Sequence, residues 1–316
     1  MLLKIKLGLK TEATWITGFG HLKRLQNLVA HWQAVEPLFI SSAVLPKLQY
    51  NNAQVNSAAD FVEVVQDLDI LIVDEPELDL KFLRSIPSDC KVVGFDELGL
   101  LRDRLNIHFA TTLLGLENFI QKRGITTEYI GPNYFIFPKS EVTAKIDPNR
   151  KILITFGGSD PAGLSLQFLE NMSPEILQIS SMVLGPAFSH SIKQKLKQCS
   201  YLSFLDSPAS LVPYYKAHPI TVTGGGVSAY EAILFGSKVL LCSQHEEQSS
   251  TAMRLVKKDA ALEFGVNPRV KWSELRALLT KCIEQDSDLI LPMNPSLFDE
   301  KGVYRVREIL ETYAQS

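Results

Sequence analysis

Apolar residues along this chain fall into short runs that end in Gly, Asp or Ser, and most runs are followed by a stretch of helical period. Residues 3–9 predict a first strand, and 20–33 predict a helix with Leu22, Leu25, Leu28 and Val29 on one face. Strands are expected at 37–40, 69–73, 90–95, 107–110 and 128–130, with a helix over 58–65. Residues 131–150 break the rhythm with Pro132, Pro138 and Pro148 and read as a linker. A second series then starts, with strands at 151–156, 179–184, 202–205, 220–223 and 238–242. Its helices are expected at 162–172, 190–197, 208–216, 227–235, 248–257, 272–284 and about 301–313.

Alternation of strand and helix in both halves predicts two parallel sheets, each flanked by helices. Ligands of such sheets collect beyond the carboxyl ends of the strands, where the glycine turns of this chain fall. The expected architecture is therefore α/β, with two Rossmann-type domains facing a central cleft. Residues 1–147 and 148–316 are expected to form the two domains, the last helix being able to pack back on the first lobe.

With 316 residues and 46% hydrophobic content, two ordinary domains can each bury a core. A formal net charge of −3 without a basic tail argues against nucleic acid as a partner. An anionic ligand would be held by local dipoles and a few cations. The four cysteines are not closely paired, which argues against a zinc ribbon or redox dithiol and fits a reduced, cytoplasmic compartment. The histidines show no metal-ligand spacing, so neither a metal nor another cofactor is expected. The first ten residues are too often interrupted by lysine for a signal peptide, and no apolar run reaches membrane-spanning length.

Four segments carry candidate chemistry. Gly18-Phe19-Gly20-His21-Leu22-Lys23-Arg24 joins the first strand region to the first long helix. Its glycines permit a tight turn, and the free amides of the helix start face whatever binds there. The positive end of the helix dipole disfavours an imidazolium at His21, which would leave a ring able to take a proton from water. The plainer reading is that His21 caps or packs the helix. In Phe156-Gly157-Gly158-Ser159-Asp160-Pro161 the paired glycines let backbone approach phosphate, with Ser159 as a donor; alternatively Ser159 or Asp160 only caps a helix. Gly224-Gly225-Gly226-Val227-Ser228-Ala229-Tyr230-Glu231 places a costly glycine run at a strand end, and Glu231, about one turn on, could reach a ribose diol or simply be solvated. Ser243-Gln244-His245-Glu246-Glu247-Gln248 falls at the same sheet edge; its acidic residues suit a helix start, and Gln248 is the safer ligand contact.

In this order the motifs resemble the UDP-sugar hydrolases of pseudaminic acid biosynthesis and the related spore-coat polysaccharide proteins. That family is itself similar to the transferase that adds N-acetylglucosamine in peptidoglycan precursor synthesis. The matching pieces are the Gly-x-Gly-His-x-x-Arg turn from Gly18 to Arg24, Asp74 and Asp96 at acidic strand ends, and Gly131-Pro132-Asn133-Tyr134. The Gly-Gly-Ser-Asp-Pro loop, the glycine loop running to Glu231, and Asp299, Gly302, Arg305 and Val306 in the closing helix complete the set. The resemblance implies a GT-B-like fold working without a metal. It implies a nucleotide held by Gly158, Ser159, Gly225, Val227, Ser228 and Glu231, with Gln248 nearby, and a sugar facing Gly18, Phe19, Gly20, Arg24, Asp74 and Glu247. His21 would be the general base for water attacking the anomeric carbon, releasing UDP and a deoxy amino sugar. Two departures stand out: Glu247-Gln248 where the family has Asn-Gln, and Lys10-Thr11 where it carries an Arg and an Asp. Sugar transfer to a hydroxyl acceptor, and nucleotide-sugar binding without turnover, are the alternatives.

Overall fold

In the computed structural model, which describes residues 4–12, 19–45, 48–75, 78–96, 99–111, 126–139, 143–285 and 291–316, the apolar runs become the strands of two parallel sheets. The first sheet contains β1 (Ile5–Lys10), β2 (Val35–Ser41), β3 (Asn51–Gln54), β4 (Ile70–Val73), β5 (Val92–Phe95), β6 (Ile107–Ala110) and β7 (Thr127–Ile130). Its order is β3-β2-β1-β4-β5-β6-β7. The second contains β8 (Ile152–Thr155), β9 (Ser180–Leu184), β10 (Ser203–Asp206), β11 (Ile220–Thr223), β12 (Lys238–Ser243) and β13 (Ala261–Val266), in the order β10-β9-β8-β11-β12-β13. Both orders reverse direction beside their first strand, so each sheet has a topological switch point, between β1 and β4 and between β8 and β11.

Two compact units result: Met1–Phe137 with Glu300–Ser316, and Pro138–Asp299. In the first unit the pleat divides the core by face. Leu7, Leu9, Ile70 and Ile72 pack with Leu22, Leu25 and Leu28 of the helix Gly20–Val29, whereas Leu71 and Val73 pack with Phe61 and Phe82 on the other face. Central strands covered on both faces must be apolar throughout, and β4 (Ile-Leu-Ile-Val) is buried at every position. The helix Gly20–Val29 stops four residues short of the expected Gln33, because His31 turns into the left-handed region at φ 63°. Its free carbonyls are claimed by the last helix, Gly302–Gln315: Arg307 donates to Leu28 O and Ala30 O, each at 2.8 Å. Phe135, Ile136 and Phe137, from the segment read as linker, are buried in this unit.

The second unit packs Ile152, Ile154, Phe156, Met182, Val222 and Leu240 against the helices Leu164–Asn171 and Trp272–Glu284. The helix after β8 starts at Leu164 rather than at residue 162, since Asp160 (φ 45°) turns back to accept from Leu164 N at 2.9 Å and Ser165 N at 2.8 Å. No helix among the described residues is long and apolar enough to cross a membrane.

Candidate active site

The carboxyl ends of β4, β5 and β6 and the start of the helix Gly20–Val29 meet in a buried polar network. Asp74 follows β4 and is fully buried. Its Oδ1 lies 2.7 Å from His21 Nδ1, and Arg24 clamps both carboxylate oxygens, Nε to Oδ2 at 2.7 Å and Nη2 to Oδ1 at 2.5 Å. Arg24 also donates to Asp96, which follows β5, and to Thr111 Oγ1 at 3.2 Å, beyond the end of β6. Thr111 closes the set by donating to Asp96 from its amide at 2.7 Å and its hydroxyl at 2.9 Å. Helical spacing makes this possible: positions 21 and 24 are neighbours on one face, so the imidazole and guanidinium reach one carboxylate together.

Burial alone would push the Asp74 carboxyl up, but Arg24 and His21 outweigh it and hold it at about 2. Arg24, equally buried, is raised further above its ordinary value by Asp74 and Asp96 despite the desolvation that opposes it. Asp74 is therefore a carboxylate that only accepts, and His21 Nδ1 must carry the proton between them. Nε2 of a neutral His21 is then left with its lone pair, on a side chain 30% exposed.

One residue further along the strand the pleat reverses the side. Glu75 pairs with buried Lys10 at 2.8 Å, and Lys10 also holds Glu12 at 2.8 Å while lying 5.4 Å from the Phe82 ring. Burial pushes Glu75 up, with Lys10 pulling against it; Glu12 is also desolvated, yet its bonds from Lys10 and Ser42 leave it below its usual value. The two consecutive acids thus anchor separate charge sets on opposite faces of the sheet.

Of the other first-unit candidates, Phe19 is partly buried against the core and Gly20 opens the helix with open space where a Cβ would stand. Gly18 lies outside the described residues.

In the second unit the loops after β8, β11 and β12 leave the same edge of the sheet. Gly157 has φ 84° and open space around it, and Gly158 and Ser159 are half-buried beyond β8. The Gly158 carbonyl is fixed by Ala187 N at 2.9 Å. Asp160 faces inward as a cap, and burial pushes its carboxyl up against those amide bonds. In the glycine run the reasons differ by position. A Cβ on Gly225 would collide with the backbone carbonyl of Gln248, and one on Gly224 would come within 2.7 Å of Gln248 Oε1, whereas Gly226 has only Gln248 Nε2, at 3.9 Å. Close packing of the helix Glu246–Val256 thus demands Gly225, whereas at Gly224 only the end of the Gln248 side chain would have to move. Gly226, Val227 and Ser228 form the open start of the helix Val227–Leu234. Glu231, on the next turn, stands beside the buried Tyr215 hydroxyl, which desolvation and then the Glu231 charge push well above the tyrosine range. Gln248 points inward, with Oε1 accepting from Gln244 N at 3.0 Å; Glu247 is exposed.

Gln244 was not singled out in the sequence, yet its Nε2 donates to Phe156 O at 2.8 Å and its Oε1 accepts from Ala162 N at 3.4 Å, clamping the loop after β8. Asp96 matches a motif at a strand end without any contact being implied for it, and Thr111 carries no motif signal. Their roles depend on partners 72 and 87 positions away, which local spacing does not disclose.

Two parallel sheets with switch points, each carrying its polar chemistry at the strand ends, define a GT-B-like α/β protein. No family model matches the chain. It is similar to the spore coat polysaccharide biosynthesis protein SpsG of Bacillus subtilis (strain 168), 27% identical across 96% of this chain and 97% of that protein. Among solved structures it is similar to HepE of Anabaena in complex with UDP and glucose, with TM-score 0.67, 15% identity and coverage of 98% of this chain and 100% of HepE. MurG of Acinetobacter baumannii gives TM-score 0.61 at 12% identity, covering 99% of this chain and 100% of MurG.

Proposed function

We propose that this protein is an enzyme acting on a UDP-linked sugar, and that it transfers the sugar to a hydroxyl nucleophile with His21 as general base. The observation that carries the reading is the His21–Asp74 pair: a buried, ionised carboxylate at 2.7 Å from Nδ1 orients the ring and leaves Nε2 to accept a proton. As the acceptor oxygen bonds to the anomeric carbon, its proton passes to Nε2. The bond from that carbon to the diphosphate oxygen breaks, and UDP leaves with the electron pair.

The second unit suits the leaving nucleotide. Gly157, Gly158 and Ser159 and the helix start at Gly226, Val227 and Ser228 flank its switch point, β8 and β11 being neighbours. Backbone amides there would stabilise the growing diphosphate charge. Glu231 would accept from ribose hydroxyls, and Gln248 would hold the glycine run in place. The transfer reading draws support from the fold shared with WaaG, a glycosyltransferase involved in lipopolysaccharide biosynthesis, and the UDP-sugar reading from the fold shared with HepE in complex with UDP and glucose.

Hydrolysis is the second reading, favoured by the ordered motifs from Gly18 to Val306 that resemble UDP-sugar hydrolases. Water would then take the acceptor's place with the same base. Incubation with a panel of UDP-sugars decides between them. UDP release that requires an added hydroxyl acceptor supports transfer. Free sugar with UDP in buffer alone supports hydrolysis. Neither product from any UDP-sugar, despite UDP binding, removes both in favour of a binding protein.

A further inference from the structure

The loop that follows β8 takes its shape from groups outside it. Among the described residues, the amides of Gly157 and Gly158 donate to no protein acceptor, and Gly157 stands at φ 84°. Backbone donors of this kind can face an anion together only while the loop keeps one conformation. Its attachments come from several directions. Ala187 N donates to Gly158 O at 2.9 Å, and Gly185 packs so closely there that a Cβ would come within 2.3 Å of the same oxygen. Gln167 Nε2, from the helix Leu164–Asn171, donates to Ala162 O at 3.0 Å. Gln244 grips both ends of the loop, donating from Nε2 to Phe156 O at 2.8 Å and accepting at Oε1 from Ala162 N at 3.4 Å. Those two partners settle which way round its amide lies, because an exchanged amide would set oxygen against oxygen and N–H against N–H.

What sets Gln244 apart is its place in the sheet. It follows β12, and the strand order β8-β11-β12 puts β11 between it and the loop it holds. Its reach therefore runs past the end of β11, where the glycine run begins. Its own amide donates to Gln248 Oε1 at 3.0 Å, and that oxygen lies 2.7 Å from where a Cβ on Gly224 would stand. Half-buried Gln244 is thus the joint that ties the loops after β8, β11 and β12 into one unit. We infer that Gln244 is a positioning residue for the diphosphate: it keeps the Gly157 and Gly158 amides turned out to an anion, and does nothing for the nucleoside. This rests on the reading that a UDP-sugar binds at this edge of the second sheet.

The test is Gln244→Met, which keeps length and neutrality but makes neither bond. Dissociation constants for UDP and for uridine are measured by NMR titration of the full-length wild type and variant. UDP should weaken by about tenfold, the scale of one hydrogen bond, while uridine stays within about twofold. A residue that merely stabilised the domain would weaken both alike. Amide hydrogen exchange in the free protein reads the loop itself. Exchange across 156–163 should quicken by about tenfold in the variant, with β9 unchanged. Equal losses for UDP and uridine, or an unaltered exchange rate in the loop, overturn the inference. Should Gln244→Met fail to fold, Gln244→Ala decides in its place, the position being only half-buried. Wild type that prefers UDP to uridine, with the variant keeping that preference in full, sinks the inference alone. Wild type that binds UDP no better than uridine removes the nucleotide reading and the inference with it.

Discussion

The two sheets share a strand order through their switch points, yet the strand ends beside them are chemically unlike. In the first unit, the ends of β4 and β5 carry a buried and a partly buried acid, both matched by Arg24, with one imidazole left half-open. In the second, the ends of β8 and β11 carry glycine runs and backbone amides, backed by Gln244 and Gln248 from beyond β12, with Asp160 spent on capping. One architecture thus supplies two different tools. Fixed, paired charges surround an imidazole at one edge, and exposed backbone and small residues line the other.

The contrast can be broken most sharply at His21. His21→Ala should lower kcat by about a thousandfold while leaving the UDP dissociation constant within about twofold, measured by turnover and calorimetry on the same preparation. Asp74→Ala should cost about 3 kcal/mol in denaturant unfolding, because Arg24 is left buried with one of its two carboxylates gone. The second edge is tested by neighbouring glycines. Gly225→Ala should destabilise by about 1–3 kcal/mol and weaken UDP, since the new methyl meets an unyielding carbonyl. Gly226→Ala, which finds only Gln248 Nε2 at 3.9 Å, should change stability by less than about 0.5 kcal/mol. Equal losses at the two positions would remove the packing explanation.

Acid unfolding separates the edges again. Asp74 is held at about 2 in the folded chain against an ordinary value of 3.8, so the unfolded chain takes the proton first. Its contribution, on the order of 2 kcal/mol, is present above about pH 4 and is lost as the pH falls toward 2. Thermal unfolding of wild type and Asp74→Asn should therefore converge across that interval. Glu75 and Asp160, pushed up by burial, act in the opposite sense and add stability as the pH falls through their raised values.

Much of this was legible in the chain. A strand buried on both faces, such as β4 (Ile-Leu-Ile-Val), announces itself as an unbroken apolar run, and the helix Trp272–Glu284 follows its period from end to end. The edges did not. Among the described residues, β3 (Asn-Asn-Ala-Gln) is polar, mostly exposed and paired with β2 alone, and β13 pairs only with β12 and includes Gly265. The short helices Leu80–Ser85 and Pro174–Gln178 hold too few turns to display a period. At the site, His21, Arg24, Asp74 and Asp96 carry motif signals, though nothing in the motif pairs Asp96 with Arg24. Asp96, Thr111 and Gln244 act through partners set by the order of strands in the sheet, and a single sequence does not spell that order out.

The central claim is that Asp74 fixes His21 as a proton acceptor through Nε2. Long-range proton–nitrogen NMR of the imidazole at neutral pH tests it most directly. The account predicts a neutral ring protonated at Nδ1, with the shift of a bare nitrogen at Nε2, and loss of that preference in Asp74→Ala. A ring protonated at Nε2, or one whose tautomer is indifferent to Asp74→Ala, would contradict it.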